Sequence, residues 1–492
     1  AASLRQVAGT GTTTFTGALT TTAANGINVD GTNFDFNGAV SLTLGDLDVD
    51  ATGTVRFNGL VTTSDVSNGL VTITNGGELT ITATGDMDLQ GAFLQDGAGV
   101  VSTAGDITTS DDDVTFQTAT TLTGTMAIDT GAGAGNILFG ATLDATTAGT
   151  ETLALTAGTG NVTFTGIVGG TERLGGVTIN QVADTTISSA FSAASFNQPS
   201  ATAGTGTFLL NGNLDTNAGG ITISSATVDL NANVTTTAGY DTVNSTDNGL
   251  VTINAGAGDN NGLSVSLADG KTITTTAAVA GTASGAIDIN SVGSVNLVGN
   301  LVTTGVAGDS TTNAGATGGA VTIDTTDSAA TITISDIIST GGASHTGSNT
   351  NGGNAGAITL ATHADGTITL DDSTITATGG AEDGSGLQGA GAAITFSNAV
   401  KLATGSAVID TSANITFSDT LDGAQDLSLT ASTGSVTFTG IVGGNQRLGT
   451  VTINQSYRTT ISSAFSAASF SQPSMAGGTS LFQLDGDLDT DA

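Results

Sequence analysis

Short segments in which an apolar residue alternates with Thr, Ser or Asn recur along the whole chain. They restrict the fold more than any other feature does. LVTIT at 70–74, NVTFTG at 161–166, GVTIN at 176–180, GITIS at 220–224, AITL at 357–360 and NITFSD at 414–419 are examples. A period of two is that of a half-buried strand. Gly, Asn and Asp punctuate the segments every few residues, which keeps each strand short. No stretch of a dozen residues shows clean 3.6 periodicity. Thr, Val and Ile favour strands, and Gly breaks helices. The chain is therefore expected to be all-β, without significant helix.

Tandem β-sandwiches and a β-solenoid both fit such a pattern. Sandwich arrays repeat at roughly 100 residues and carry buried Trp or Tyr and Pro-marked loops. Here there is no Trp, and only 2 Tyr and 2 Pro among 492 residues. A solenoid needs only short strands, tight corners and small residues that stack on copies of themselves. Each coil satisfies its backbone against the coils above and below. The expectation is an elongated parallel solenoid.

Repeats support it. VTFTGIVGG stands at 162–170 and again at 436–444. Residues 159–218 align with 433–492 without a gap, with 43 of 60 positions identical. Upstream, VTFQTATTLTGTMAIDT at 114–130 answers ITFSNAVKLATGSAVIDT at 394–411, and GNILFGATLD at 135–144 answers ANITFSDTLD at 413–422. The long unit thus runs from Val114 to a restart at Ile394. The organisation expected is solenoid coils over 1–113, one long unit over 114–393 and the start of the next over 394–492, all in one continuous solenoid. Because Ala492 matches Ala218 inside the unit, the chain reads as a section of a longer tandem protein.

Within the long unit the texture changes. All 17 Phe lie between Phe15 and Phe208 or between Phe396 and Phe482, so 114–208 is Phe-containing and 209–393 is Phe-free. In the Phe-free part Val321, Ile358 and Ile394 each open a strand after a Gly-rich loop, at nearly equal spacing. With coils of ~20–25 residues, each interval is one large coil or two small ones.

Charge removes several functions. Acidic residues outnumber basic ones 43 to 7, for a net charge of −36. Nucleic-acid binding needs a Lys/Arg footprint, and docking on anionic lipid needs basic clusters. Zero Cys excludes disulfides and Cys-based metal sites. No apolar run approaches the ~20 residues of a transmembrane segment, and AASLRQVAG at the start lacks the basic-then-apolar pattern of a signal peptide.

Candidate chemistry is sparse. His345 and His363 stand well apart in the sequence, in or just beyond a Gly/Asn-rich segment and with no Cys to join them. They read as exposed loop histidines rather than Zn ligands. Asp111, Asp112 and Asp113 read as a solvated turn, since neighbours on a strand point to opposite faces. Asp46, Asp48 and Asp50, and likewise Asp487, Asp489 and Asp491, put alternate carboxylates on one face and are candidate Ca²⁺ ligands. No catalytic residue and no other cofactor is assigned. Arg173 and Arg447 occupy the same place in the two copies and read as corner residues that neutralise Asp or cap carbonyls.

GSVTFTGIVGG followed by RLG and VTI, TGTTTFTGALTTTAANGINVDG, and IDTSANITFSDTLDGAQDLSLTA together resemble the repeats of filamentous-haemagglutinin-like adhesins, very large bacterial surface proteins. The resemblance implies a right-handed parallel β-helix, export to the cell surface, and a structural or adhesive role without catalysis. Roughly 20 coils at ~4.8 Å each would make a rod on the order of 100 Å. Partners implied are further coils of a longer chain, or copies associating end to end or laterally. One alternative is adhesion to carbohydrate or a cell surface through the Gly/Asn-rich loops 341–357 and 379–393. A remote one is a β-helical polysaccharide-degrading enzyme, which needs paired carboxylates on one face.

Overall fold

The computed structural model describes residues 3–66, 69–199, 206–237, 249–256, 263–277, 282–309, 314–345, 350–382, 386–473 and 481–491. The chain divides into two compact units, Ala1–Asp215 and Thr216–Ala492. Among the described residues there is no helix, the strands are short, and every strand pairing is parallel. Each unit is a parallel β-solenoid, the class that the alternation predicts.

Turns of the first unit have three sides. One side stacks Leu4–Gln6, Ile27–Gly31, Leu47–Ala51, Val71–Asn75, Phe93–Gln95, Val114–Phe116, Ile137–Phe139, Val162–Phe164 and Thr185–Ile187. The second side opens with Thr12–Phe15 and Asn33–Phe36, the third with Leu19–Thr21 and Val40–Leu42. Register shows the size of a turn directly. Ile27 pairs with Leu47, and Ile137 with Val162, so each turn is a small coil that lengthens a little along the unit. Each strand is too short to satisfy itself, so its N–H groups donate to the next turn, as Val71 does to Ala92 O at 2.9 Å.

Alternation then fills one core. Val162 and Phe164 point inward and are fully buried, while Thr163 between them is half-buried on the outside. In-register stacking puts like on like. Phe116 and Phe139 stack with centroids 5.4 Å apart, and Phe139 and Phe164 at 5.5 Å with planes 2° apart. These separations lie in the range aromatic pairs prefer. At the corner that closes the motif, Gly169 has φ +64° and its second-unit counterpart Gly443 has φ +68°. A methyl group at either would overlap a serine carbonyl, Ser192 O or Ser466 O. Only glycine fits that corner.

The second unit has turns of two sizes. Val251 pairs with Ile287, Ile287 with Val321, Val321 with Ile358 and Ile358 with Ile394, one large turn at each step. From there Ile394 pairs with Ile415 and Ile415 with Val436, and the turns are much shorter. The interval between Val321, Ile358 and Ile394 is therefore a single large turn, not two small ones. Its core is lined by Ile287, Ile289, Val321, Ile323, Ile358 and Leu360, all fully buried. Phenylalanine resumes where the turns shrink: Phe396, Phe417 and Phe438 stack at 4.8 and 5.2 Å. The extra residues of the large turns leave the stack after Asn300–Thr304, Ile337–Thr340 and Thr374–Thr378. They return before Val321, Ile358 and Ile394.

Candidate functional site

These excursions are the Gly/Asn-rich segments expected to be protruding loops. Residues 310–313, 346–349 and 383–385 at their tips lie outside the described residues. The described parts are hydrogen-bonded to one another from turn to turn. Outgoing segments 305–308, 341–344 and 379–381 form one layer. Gly305 and Gly308 donate to Thr340 O and Ala343 O, and Gly341 and Ser344 donate to Thr378 O and Ala381 O, at 2.9–3.0 Å. Returning segments form a second layer, in which Gly315, Gly318 and Val321 donate to Asn351, Asn354 and Ala357, and Gly352 and Ala355 donate to Leu387 and Ala390.

Within each layer the bonds recur every third residue. That is the period of a polyproline-II-type chain with three residues per turn, which makes no internal bonds. A β-strand would repeat every two. The residue after each in-layer donor bonds across the layers. Ala316 donates to Val306 O, Gly342 to Ala316 O, Gly353 to Gly342 O, Gly380 to Gly353 O and Gly389 to Gly380 O, at 2.8–2.9 Å. The result is one spine of hydrogen bonds linking three turns. Such chains polarise one another in a low-dielectric surrounding. Side chains are excluded from it, because a methyl group built on Gly342, Gly353, Gly380 or Gly389 would overlap a backbone carbonyl. The adjacent glycines Gly341–Gly342, Gly352–Gly353 and Gly379–Gly380 were the visible signal for this layer. Alternation of apolar side chains cannot reveal it.

Outside the bundle, three of the carboxylates singled out from the sequence, Asp46, Asp111 and Asp113, cap backbone N–H groups at corners. Asp46 Oδ1 accepts the Gly69 and Leu70 N–H groups at 2.9 and 3.0 Å. Asp48 Oδ2 accepts from Asn28 Nδ2 at 2.7 Å, and Asp50 stands exposed in register with Asp30. Burial pushes the Asp48 carboxyl above its ordinary value; the Asn28 bond opposes this, and Asp30, Asp50 and Asp46 add to it. Asp30, Asp48 and Asp50 are thus the carboxylates that adjacent turns bring together. Asp489 and Asp491 are both drawn to Arg447, and Asp487 contributes its backbone carbonyl to Phe465 N–H at 2.8 Å. Among the described residues no group of three or more His, Asp or Glu side chains is placed to hold a metal ion.

The Asp111–Asp113 run is a turn. Asp111 has φ +66° and accepts the Gly133 N–H, while Asp113 Oδ1 accepts both Asn136 N–H at 2.7 Å and Asn136 Nδ2 at 2.9 Å. Asp112 is raised by burial first and by Asp113 and Asp111 next. His363 sits in the turn after Ile358–Ala361 and accepts the Asp365 N–H at Nδ1, at 3.4 Å. His345 ends the outgoing segment of the bundle, on a different element. A surface groove lined by Thr367, Lys401, Thr420, Asp422, Asn445 and Gln446 contains a single carboxylate.

Arg173 and Arg447 make the same clamp in their two copies. Arg173 Nη1 donates to Ala193 O at 2.9 Å and to Asp215 O at 2.7 Å, and Nη2 donates to the Asp215 carboxylate. Arg447 does so with Ala467 O, Asp489 O and the Asp489 carboxylate, and adds Asp491 at 3.4 Å. Each guanidinium spans successive turns and caps carbonyls there. Its fork of five donors suits that task. No family model, curated protein or solved structure matches this chain.

Proposed function

We propose that this chain is a structural repeat protein of the bacterial cell surface, a piece of a fibre or sheath, as its resemblance to filamentous-haemagglutinin-like adhesins implies. The observation that carries this reading is what the polar side chains do. Asp46, Asp111, Asp113, Arg173 and Arg447 are each used to cap or clamp neighbouring turns. A chain that puts these ionisable groups into its own corners is suited to architecture rather than turnover. Its charge of −36 keeps such a surface dispersed and repels polyanions. Electron micrographs of the native protein test the reading. Extended fibres or sheaths support it; compact, dispersed particles overturn it.

A second reading, adhesion to carbohydrate, is favoured by the exposed side of the returning layer. Asn351, Asn354 and Gln388 stand exposed there on consecutive turns. The two Asn side chains accept the Leu387 and Ala390 N–H groups at 2.8 Å, which fixes their rotamers and leaves their amide N–H groups to donate outward. Replacing Asn351, Asn354 and Gln388 by Ala and measuring attachment to a glycan array tests this reading. Unchanged attachment removes it.

A further inference from the structure

We propose that the groove beside Lys401 is a binding site for a sugar that carries a single carboxylate, a hexuronate. The site lies in the second unit, apart from the glycine bundle, and goes beyond the structural role. Three observations carry it.

The groove has a fixed wall. Val442 makes only one-residue bridges, to Leu421 and to Phe465. Past it Gly443 turns at φ +68°, and residues 443–447 leave the stack as a ledge. Gly443 N–H donates to Leu421 O at 2.7 Å, and Arg447 clamps the far end. Between them, Asp422 Oδ1 accepts the Asn445 N–H at 2.8 Å and the Gln446 N–H at 3.2 Å. Asp422 Oδ2 accepts from Asn445 Nδ2 at 3.1 Å. A wall ordered before any ligand arrives keeps the entropy cost of binding low.

The polar groups left over match such a sugar. The groove holds about 280 Å³, near the lower end of the roughly 300–1,000 Å³ of ligand pockets. Lys401 stands in direct register with Asp422 and forms no ion pair among the described residues. Three N–H groups already occupy the Asp422 oxygens, so Lys401 is left to meet a carboxylate from outside. Asn445 Oδ1, the Gln446 amide and the Thr367 and Thr420 hydroxyls are likewise uncommitted among the described residues. They offer donors and acceptors together, which sugar hydroxyls use and a bare anion does not. The net charge of −36 disfavours a polymer charged at every unit, and so favours one isolated carboxylate.

The first unit has the same frame with another lining. Thr121 stands in register with Asp144, whose Oδ1 accepts the Thr171 N–H at 2.8 Å. Thr121, Thr171 and Glu172 take the places of Lys401, Asn445 and Gln446. The frame therefore needs neither a cation nor two amides at these positions. One of only two Lys in the chain stands here without an architectural reason.

An NMR titration of the full chain with glucuronate, glucose and inorganic phosphate is the test. The expected result is saturable glucuronate binding in the ~millimolar range, at least ~10-fold tighter than glucose or phosphate. Lys401→Thr with Asn445→Thr and Gln446→Glu installs the first-unit lining, which this frame already tolerates, and should weaken binding at least ~10-fold. The reciprocal Thr121→Lys, Thr171→Asn and Glu172→Gln should add a second site, a gain that misfolding cannot imitate. Alanine at Asn351, Asn354 and Gln388 should leave glucuronate binding unchanged, which separates this site from the bundle. The proposal is overturned by an absence of saturable binding, by glucose or phosphate binding as tightly, or by binding that survives the first-unit lining. Lys401 would then be only the cross-strand neighbour of Asp422. None of these results touches the micrographs that test the structural role.

Discussion

Gly342 donates its N–H to Ala316 O at 2.8 Å, a bond between the outgoing segment of one turn and the returning segment of the turn before. Gly342 also accepts from Gly353 N–H at 2.8 Å, so it holds both directions of the spine. A methyl group there would overlap Val306 O. Gly342→Ala is expected to cost about 1–3 kcal/mol through overpacking. The loss should be local, because the stacked strands keep their own bonds. Hydrogen exchange checks it: amides of Ala316, Gly353 and Gly380 should lose protection, while those of Val321 and Ile358 keep theirs. Ala343→Ser, one residue along and exposed, should leave protection unchanged.

Phe164 lies between Phe139 and Phe191, in stacked contact with the first and edge-on to the second at 5.2 Å. It is fully buried in a core of side chains that cannot shift without breaking register. Phe164→Ala should destabilise by about 3–5 kcal/mol, the range for an emptied aromatic site. Phe164→Leu keeps much of the volume and should cost less than half as much. Chemical denaturation followed by circular dichroism measures both. Equal costs for the two variants would mean that volume is not what the ladder needs.

The strands and the inward residues were legible because a half-buried strand must alternate. Val162, Thr163 and Phe164 announce their directions without any structure. The large turn was half legible: the spacing of Val321, Ile358 and Ile394 showed a period, but not whether it held one turn or two. Register decides that, and register is a long-range property. The glycine bundle was read as loop for a physical reason. Its chains carry no side-chain pattern, and the partner that makes glycine obligatory at Gly342 comes from the preceding turn, at Val306. At Arg173 and Arg447 the recurrence flagged a shared task, and the corner reading fits the clamp each one makes.

The two clamps should differ in strength. Side chains of Arg173 and Asp215 are 20% and 35% exposed, against 32% and 65% for Arg447 and Asp489. Exposed pairs contribute roughly 0–1 kcal/mol, and charge-assisted bonds to carbonyls add to the more buried one. Arg173→Ala is expected to cost about 1–2 kcal/mol and Arg447→Ala less than ~1 kcal/mol. Lys should rescue neither fully, since it cannot fork between two carbonyls and a carboxylate. Thermal midpoints at ~0.05 and ~0.5 M salt separate the terms: only the ion-pair part should fade with salt.

Ca²⁺ at Asp48 and Asp50 would place a hard cation beside Asp30, which stands in register with Asp50 on the preceding turn. Asp46 is committed to Gly69 and Leu70, so it is not counted among the ligands. Waters would have to complete the roughly 6–8 oxygens that Ca²⁺ takes. The expected outcome is a midpoint raised by millimolar Ca²⁺ and a rise lost in Asp48→Asn or Asp50→Asn. No shift at millimolar Ca²⁺ removes these residues as ligands.

Asp410 gives the pH dependence its sign. Burial raises its carboxyl above the ordinary value, so the folded chain holds that proton more tightly than the unfolded chain does. Stability from this group is fully present below the ordinary value of ~3.9 and is lost as pH rises through the raised folded value. Asp48 and Asp112 share the direction, with burial the leading cause in both. Asp410→Asn removes the charge that burial disfavours. The variant should be more stable than the parent at about pH 7, and the difference should shrink towards zero by about pH 3, where both side chains are neutral. Paired denaturation curves at the two pH values read this out. A difference that persists at the acid end would point to packing of the amide rather than to the buried charge.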